Sequence, residues 1–95
     1  MTKSFAEQKV SGGKLVSVEL EYGDRIENIR ILGDFFIYPE ESLYKIEKAL
    51  IGLRIGSGLE EIAEKIKRIV SEDKAELLGV TPEAMASTIM MAVKK

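Results

Sequence analysis

The sequence predicts an α+β fold with two layers, a three-stranded antiparallel sheet followed by three helices packed on one of its faces. Two observations lead to this prediction. The first third of the chain alternates apolar and polar residues with the period of two that strands show, and from Pro39 onward apolar residues recur every three or four positions, as in helices. Strands that precede helices in the order β-β-β-α-α-α are typical of an antiparallel sheet with one helical layer.

The second strand carries the clearest strand pattern. Its apolar residues alternate regularly with polar ones and are Val16, Val18, Leu20 and Tyr22. Gly23 and Asp24 follow as a two-residue turn, for which the positive φ angles of a tight hairpin are expected. Upstream, the segment from Ser4 to Val10 is predicted to be an edge strand.

The return strand is predicted to run from about Arg25 to Leu32. Ile29 and Ile31 share one face, whereas Ile26 falls on the other face together with Leu32. Either a β-bulge or a partly covered second face would explain this slip in phase.

The first helix is predicted to begin at Pro39, a residue that suits the first helical position, and to stop at Gly52. Its apolar residues recur at helical spacing and are Leu43, Ile46, Leu50 and Leu53. Ser57 and Glu60 match a capping box and therefore predict the start of a second helix, which ends near Ser71.

The third helix is predicted to start with Thr81 as its cap and Pro82 at its first position. Its apolar face comprises Met85, Ile89, Met90 and Val93, whereas Met91 falls off this stripe and is a candidate for partner contact. Lys94 and Lys95 complement the negative C-terminal end of the helix dipole.

Length and composition narrow the function classes. A chain of 95 residues fits one domain spanning residues 1–95, because a second domain would have too few residues to bury a core. The net charge is −2 with the two signs interspersed, which argues against nucleic-acid binding. Apolar runs are far shorter than the roughly 20 residues of a membrane span, so a cytoplasmic protein is expected.

The chain has no cysteine and no histidine, which removes most groups used for nucleophilic and general-base catalysis near neutral pH. The acidic pairs Glu40–Glu41 and Glu60–Glu61 lie in the first turns of predicted helices, where the helix dipole explains them. We therefore predict no metal site and no catalytic residue of the chain's own.

The most unusual segment runs from Gly33 to Glu40 and places three aromatic residues at the junction between sheet and helix. In one interpretation, Phe35 and Phe36 both wedge into the core while Asp34 caps nearby amides. In the other, two adjacent aromatic residues cannot both face the core, and one is an exposed anchor for a partner protein.

A second candidate is the loop Gly12-Gly13-Lys14, in which two glycines let backbone amides approach an anion and a lysine follows. The loop lacks the full phosphate-binding pattern and lies between two strands rather than before a helix. Plain loop flexibility is the alternative explanation.

The same segments, in the same order, carry a resemblance to a known family. The chain resembles the C-terminal domain of lipoate-protein ligases, and particularly the version that forms a separate small accessory subunit. The matching residues are Lys9-Val10-Ser11-Gly12-Gly13-Lys14-Leu15-Val16, Gly33-Asp34-Phe35-Phe36 continuing to Pro39, Leu43, Ile46, Leu50 and Gly52, and Gly79-Val80-Thr81-Pro82-Glu83. The resemblance extends over essentially the whole chain.

The resemblance implies a function that depends on a partner. In this family a large catalytic subunit binds lipoate, ATP and Mg²⁺, forms lipoyl-AMP and passes the lipoyl group to a lysine of a lipoyl-domain acceptor. The small subunit is needed mainly for the activating step, and it binds no cofactor by itself. By this resemblance, we expect the interface with the catalytic subunit to include Gly33, Asp34, Phe35, Phe36 and Tyr38.

By the same resemblance, Gly12, Gly13 and Lys14 are expected to contact a phosphate or a loop of the partner. Ser11 departs from the family pattern, because proline precedes the double glycine in many relatives, and this difference weakens the inference for Lys14. The alternative function is a free-standing interaction module for an unrelated partner.

Overall fold

The structure, a computed structural model, describes residues 2–93, so the predicted dipole contacts of Lys94 and Lys95 lie outside the described residues. It contains a three-stranded antiparallel sheet in the order β1-β2-β3 and three helices. The strands are β1 (Thr2–Lys9), β2 (Leu15–Tyr22) and β3 (Ile26–Gly33), and a 3₁₀ turn over Ser11–Gly13 joins the first two. The helices are α1 (Glu41–Leu50), α2 (Leu59–Glu72) and α3 (Pro82–Val93). The predicted α+β class is confirmed.

A second, two-stranded sheet was not predicted. Its strands are β4 (Phe36–Tyr38), which follows β3, and β5 (Glu76–Leu78), which lies between α2 and α3. Each strand has three residues, too few to show a period in the sequence. The two strands pair in antiparallel fashion, and we call this small sheet the ribbon.

The core lies between the inner face of the three-stranded sheet and the helices. The alternation predicted for β2 is confirmed, because Val16, Val18, Leu20 and Tyr22 are all buried. The helix residues Ile46, Leu50, Ile66 and Ile89 are also fully or almost fully buried against this face. The outer face of the sheet carries exposed residues such as Phe5, Glu19 and Arg30.

A β-bulge explains the slip in phase along β3. Glu21 lies opposite Asn28 and Tyr22 opposite Ile26, so Glu27 is the extra residue. The bulge turns Ile26 to the same side as Ile29 and Ile31, and all three are buried. The sequence allowed either a β-bulge or a partly covered second face as the reason for the slip in phase, and the structure shows the bulge.

The predicted tight turn at Gly23 and Asp24 is wrong. The connection between β2 and β3 spans three residues, and the Gly23 N–H donates to the Arg25 carbonyl over 3.1 Å. Gly23 does not adopt a positive φ. The bulge moves the start of β3 to Ile26, which leaves room for a wider connection.

The predicted beginnings of the first two helices need correction. Pro39 precedes α1 instead of starting it, and its carbonyl accepts from the Ser42 N–H over 3.0 Å in the turn that leads into the helix. Gly58 is the N-cap of α2, and no side chain caps it. The Ser57–Glu60 capping box is therefore wrong, because the helix begins one residue later than that pattern requires.

The predicted end of α1 and the predicted start of α3 are confirmed. Gly52 lies just beyond α1 with a φ of +92°. The Thr81 hydroxyl oxygen accepts from the Ala84 N–H over 3.0 Å and thereby caps α3.

The helices pack on one face of the sheet, α1 against β3 and α3 against β1 and β2, while α2 contacts both other helices. Side-chain hydrogen bonds tie α3 to β1: Ser4 donates to the Ala92 carbonyl over 2.7 Å, and Gln8 donates to the Thr88 hydroxyl over 2.8 Å. Within residues 2–93, no helix combines the length and the apolar character needed to cross a membrane.

Candidate interaction surface

The site begins where β3 ends, at Gly33. Gly33 has a φ of +153°, and a β-carbon at this position would lie 2.2 Å from the Leu15 carbonyl oxygen. Such a distance is far inside van der Waals contact, so the close approach of the two backbones requires glycine. The next N–H, of Asp34, donates to the same carbonyl over 2.8 Å. These contacts turn the chain out of the three-stranded sheet and into the ribbon.

The two adjacent phenylalanines have different environments. Phe35 is half-buried and packs against the core, and a β-carbon at Gly79 would lie 3.4 Å from its Cβ. Phe36 is 74% exposed. The structure thus separates the roles that the sequence left open, with Phe35 as the inward wedge and Phe36 as the outward ring.

The ribbon has one apolar face turned inward and one turned outward. Ile37 pairs with Leu77 on the inner face, where Ile37 is buried. On the outer face Phe36 lies opposite Leu78, and Tyr38 follows Phe36 on the same side of β4 because side chains alternate along a strand. We call Phe36, Tyr38 and Leu78 the aromatic patch; their exposed fractions are 74%, 74% and 58%.

A shallow groove of about 350 Å³ adjoins the aromatic patch and is lined by residues of β3, β4 and α1, among them Leu32 and Leu43. Leu32 is itself 41% exposed and extends the apolar surface. Three exposed carboxylates lie in the same region: Asp34 precedes Phe35, Glu40 lines the groove, and Glu76 lies opposite Tyr38 in the ribbon. The surface is therefore apolar with an acidic rim.

The Gly12-Gly13-Lys14 loop lies at the same end of the sheet as the Gly33 turn. The residue after Lys14 is Leu15, and its carbonyl oxygen accepts the hydrogen bond from the Asp34 N–H. Gly12 and Gly13 both have positive φ. The Gly13 N–H donates to the Val10 carbonyl over 2.9 Å, so the turn itself uses this amide. Lys14 is exposed. The loop thus places one lysine beside the site. It is poorly suited to bind an anion through its backbone, because the Gly13 N–H is already used within the turn.

The surface combines exposed apolar side chains with exposed carboxylates. The part of the chain that the structure describes contains no group of three or more Asp or Glu side chains arranged to hold a metal ion. Shifted pKa values occur elsewhere: a hydrogen bond with Glu83 raises the pKa of Lys67, and the same contact lowers the pKa of Glu83. Their ion pair of 2.7 Å joins α2 to α3.

Sequence reasoning identified Phe36 and Tyr38 but missed Leu78. The adjacency of two aromatic residues was a usable signal, because one of them had to face away from the core. Leu78 reaches Phe36 through the pairing of β4 with β5, and nothing in the local sequence around Glu76–Leu78 predicts that pairing. The functional role of the predicted interface residues stays a prediction.

No protein-family model matches the chain. A curated relative, lipoate-protein ligase A subunit 2 of Thermoplasma acidophilum, is 37% identical over 68 residues. The match spans 72% of this chain and 66% of the relative, slightly less than two thirds of its length.

A solved structure is similar to the complete fold. It comes from the structural analysis of an archaeal lipoylation system, a bi-partite lipoate protein ligase and its E2 lipoyl domain from Thermoplasma acidophilum. The superposition has a TM-score of 0.71 at 30% sequence identity and covers 97% of this chain and 94% of the matched chain.

Proposed function

Because this chain belongs to the family of small accessory subunits of bipartite lipoate-protein ligases, we propose that it acts with a separate catalytic subunit in the ATP-dependent activation of lipoate to lipoyl-AMP. The lipoyl group then passes to a lysine of a lipoyl-domain acceptor protein. The observation that carries the proposal is the match over 97% of the chain to a chain from a bipartite lipoylation system.

In this proposal lipoate, ATP and Mg²⁺ bind at the catalytic subunit, and this chain supplies a complementary surface. The two chains form a heterodimer in the cytoplasm. A protein surface that binds one conformation of its partner more tightly shifts the partner toward that conformation. The accessory chain accordingly favours the arrangement of substrate-binding loops in which the catalytic subunit forms the adenylate.

The aromatic patch is the part of the surface that we assign to the catalytic subunit. Exposed aromatic residues next to a groove are frequent anchors of protein interfaces, since they bury a large area with few rotatable bonds. The rim of Asp34, Glu40 and Glu76 matches a partner surface that places basic groups around an apolar pocket. Phe35 packs against the core next to the patch, and Gly33 permits the turn that leads into the ribbon.

The test measures pyrophosphate release from lipoate and ATP by the matching catalytic subunit, with and without this chain. We expect release to depend strongly on the chain. Phe36→Ala and Tyr38→Ala should each raise the concentration for half-maximal stimulation about tenfold or more, as for interface anchors. Tyr44→Ala is the matched control. Tyr44 is also an exposed tyrosine, at 59%, but it lies on α1 beside Lys48 and does not belong to the ribbon.

A second assay supplies preformed lipoyl-AMP and measures lipoyl transfer to the acceptor domain. We expect this half-reaction to depend less on the chain than adenylate formation does. Equal pyrophosphate release without the chain would contradict the proposal and favour an interaction module for an unrelated partner.

A further inference from the structure

The two edges of the three-stranded sheet are treated differently. The outer edge of β3 is closed by hydrogen bonds: Ile26 exchanges bonds with the segment after α1, donating to the Leu53 carbonyl over 2.9 Å and accepting from the Gly52 N–H over 2.8 Å. Farther along, the Ile31 N–H donates to a Glu47 carboxylate oxygen over 2.9 Å. Within residues 2–93, no comparable bond closes the outer edge of β1. An open edge of eight residues is a template for another strand.

The side chains of β1 are complementary to themselves in one antiparallel register. Residues of odd number lie on the outer face of the sheet, and residues of even number face α3. A second copy of β1 centred on Phe5 places Lys3 opposite Glu7, Phe5 opposite Phe5, and Glu7 opposite Lys3. Opposite charges and paired aromatic rings at directly opposed positions stabilise antiparallel strands.

Neighbouring registers lack this complementarity. A shift by one pair places Lys3 opposite Lys9 in one direction and opposite Phe5 in the other, and a shift by a single residue would mix the inner and outer faces. On the inner face the centred register pairs Ser4 with Ala6, two small side chains that let the strands approach beneath α3. Within one chain Lys3 lies 3.7 Å from Glu21 and stays 80% exposed, and the Ser17 hydroxyl donates to Glu7 over 3.0 Å, so both charges are held on the outer face beside the edge. There they favour the centred register over its neighbours.

Exposed apolar residues flank this edge on both sides of the sheet. Phe5 is 53% exposed on the outer face. On the inner side, Met91 is 37% exposed and lies on the flank of α3 that contacts β1, because it follows Ala84 by two turns and Thr88 by one. A strand added to β1 in the centred register would bring a second α3 toward Met91.

We propose that β1 is a docking edge for a second copy of this chain, which pairs β1 with β1 about a twofold axis at Phe5. The pairing joins the two sheets into one continuous six-stranded sheet, with an isologous interface, as expected for a C2 dimer. The aromatic patch lies on the ribbon and stays outside this interface. Two copies so joined each keep an aromatic patch free for a catalytic subunit, so the proposed heterodimer becomes one half of a two-plus-two assembly.

The experiment is sedimentation equilibrium of the full chain over a concentration series. We expect the average mass to rise from 10.6 kDa toward twice that value. Lys3→Glu places two carboxylate pairs across the axis and Glu7→Lys places two ammonium pairs, so each variant alone should dimerise about tenfold or more weakly. The two variants mixed should dimerise again, because the carboxylates at positions 3 and 7 of one variant then face the ammonium groups at positions 7 and 3 of the other.

Circular dichroism of each variant establishes that it is folded before the mixing experiment. Phe5→Ala removes the ring at the axis and should weaken the dimer. Mixing this variant with Lys3→Glu or Glu7→Lys should not restore dimerisation, because neither charge variant replaces the lost ring. A wild-type chain that stays monomeric up to its solubility limit would overturn the proposal, as would a mixture that stays as monomeric as its components. If Lys3→Glu and Glu7→Lys instead weaken binding to the catalytic subunit while no dimer forms, the edge belongs to that subunit and the proposal fails.

Discussion

Gly33 controls the geometry of the site at the scale of one residue. We expect Gly33→Ala to lower the free energy of unfolding by more than about 1 kcal/mol, because the new methyl group would collide with the Leu15 carbonyl and the residue would keep a strained φ. Urea denaturation followed by circular dichroism measures the change. Gly12→Ala is the matched control, since Gly12 also has positive φ but a β-carbon there meets nothing within 4 Å. Equal losses for the two variants would contradict the collision.

Asp73 links the end of α2 to α1, and its protonation should affect stability. The buried Ser42 hydroxyl donates to Asp73 over 2.7 Å, and Lys45 lies 3.2 Å away. The hydrogen bond from Ser42, followed by the contact with Lys45, lowers the pKa of Asp73 below its ordinary value of 3.8. A carboxyl group with a lowered folded pKa stabilises the fold above the unfolded pKa, and this stabilisation is lost as the pH falls through the folded value.

We therefore expect Asp73→Asn to be less stable than the wild type at neutral pH and to approach it at pH values below 3.8. Urea denaturation at a series of pH values measures the difference. Glu72→Gln, at the exposed neighbouring position, controls for the loss of a surface carboxylate. A difference between Asp73→Asn and the wild type that stays constant with pH would refute this account.

At the scale of the elements, Glu47 protects the edge of β3. Glu47→Ala would leave the N–H of the buried Ile31 without its acceptor, which we expect to cost about 1–3 kcal/mol of the free energy of unfolding. Glu47→Gln keeps a carbonyl oxygen and should recover a large part of that loss. Chemical denaturation of both variants measures the two effects, and similar losses would show that packing or charge matters more than the hydrogen bond.

Elements with a long periodic pattern could be predicted from the sequence, and those set by tertiary contacts could not. The alternation from Val16 to Tyr22 and the cap at Thr81 are local signals, and the structure confirms both. The bulge at Glu27 could be suspected from the phase of the isoleucines. The ribbon escaped prediction because each of its strands depends on the other for its hydrogen bonds.

A local motif also predicted the wrong start for a helix, because the neighbouring residue can serve as the N-cap equally well. Ser57 and Glu60 have the spacing of a capping box, yet Gly58 caps α2, because glycine also suits the extended backbone of an N-cap. Within the candidate site, the aromatic residues could be found from the sequence. Their division into inward Phe35 and outward Phe36 required the ribbon.

At the scale of the whole molecule, one continuous cluster of buried residues connects β1–β3 with all three helices. We therefore expect the chain alone to unfold in a single cooperative transition, a measurement that tests the predicted single domain. Far-UV circular dichroism and the near-UV signal of the tyrosines should give coincident urea curves; among them, Tyr22 is buried and its hydroxyl donates to the Val93 carbonyl. Two separated transitions would argue for two units.

The ribbon has a consequence for the dynamics of the helical layer. β4 and β5 are the points at which the chain enters and leaves the α1–α2 hairpin, so their pairing works as a clasp at the base of residues 36–78. If the two helices open together, the pairing of β4 with β5 must break, and a partner bound at Phe36 and Leu78, as proposed, would oppose that break. Amide protons in α1 and α2 should then exchange with solvent more slowly in the complex, including those that the partner does not cover.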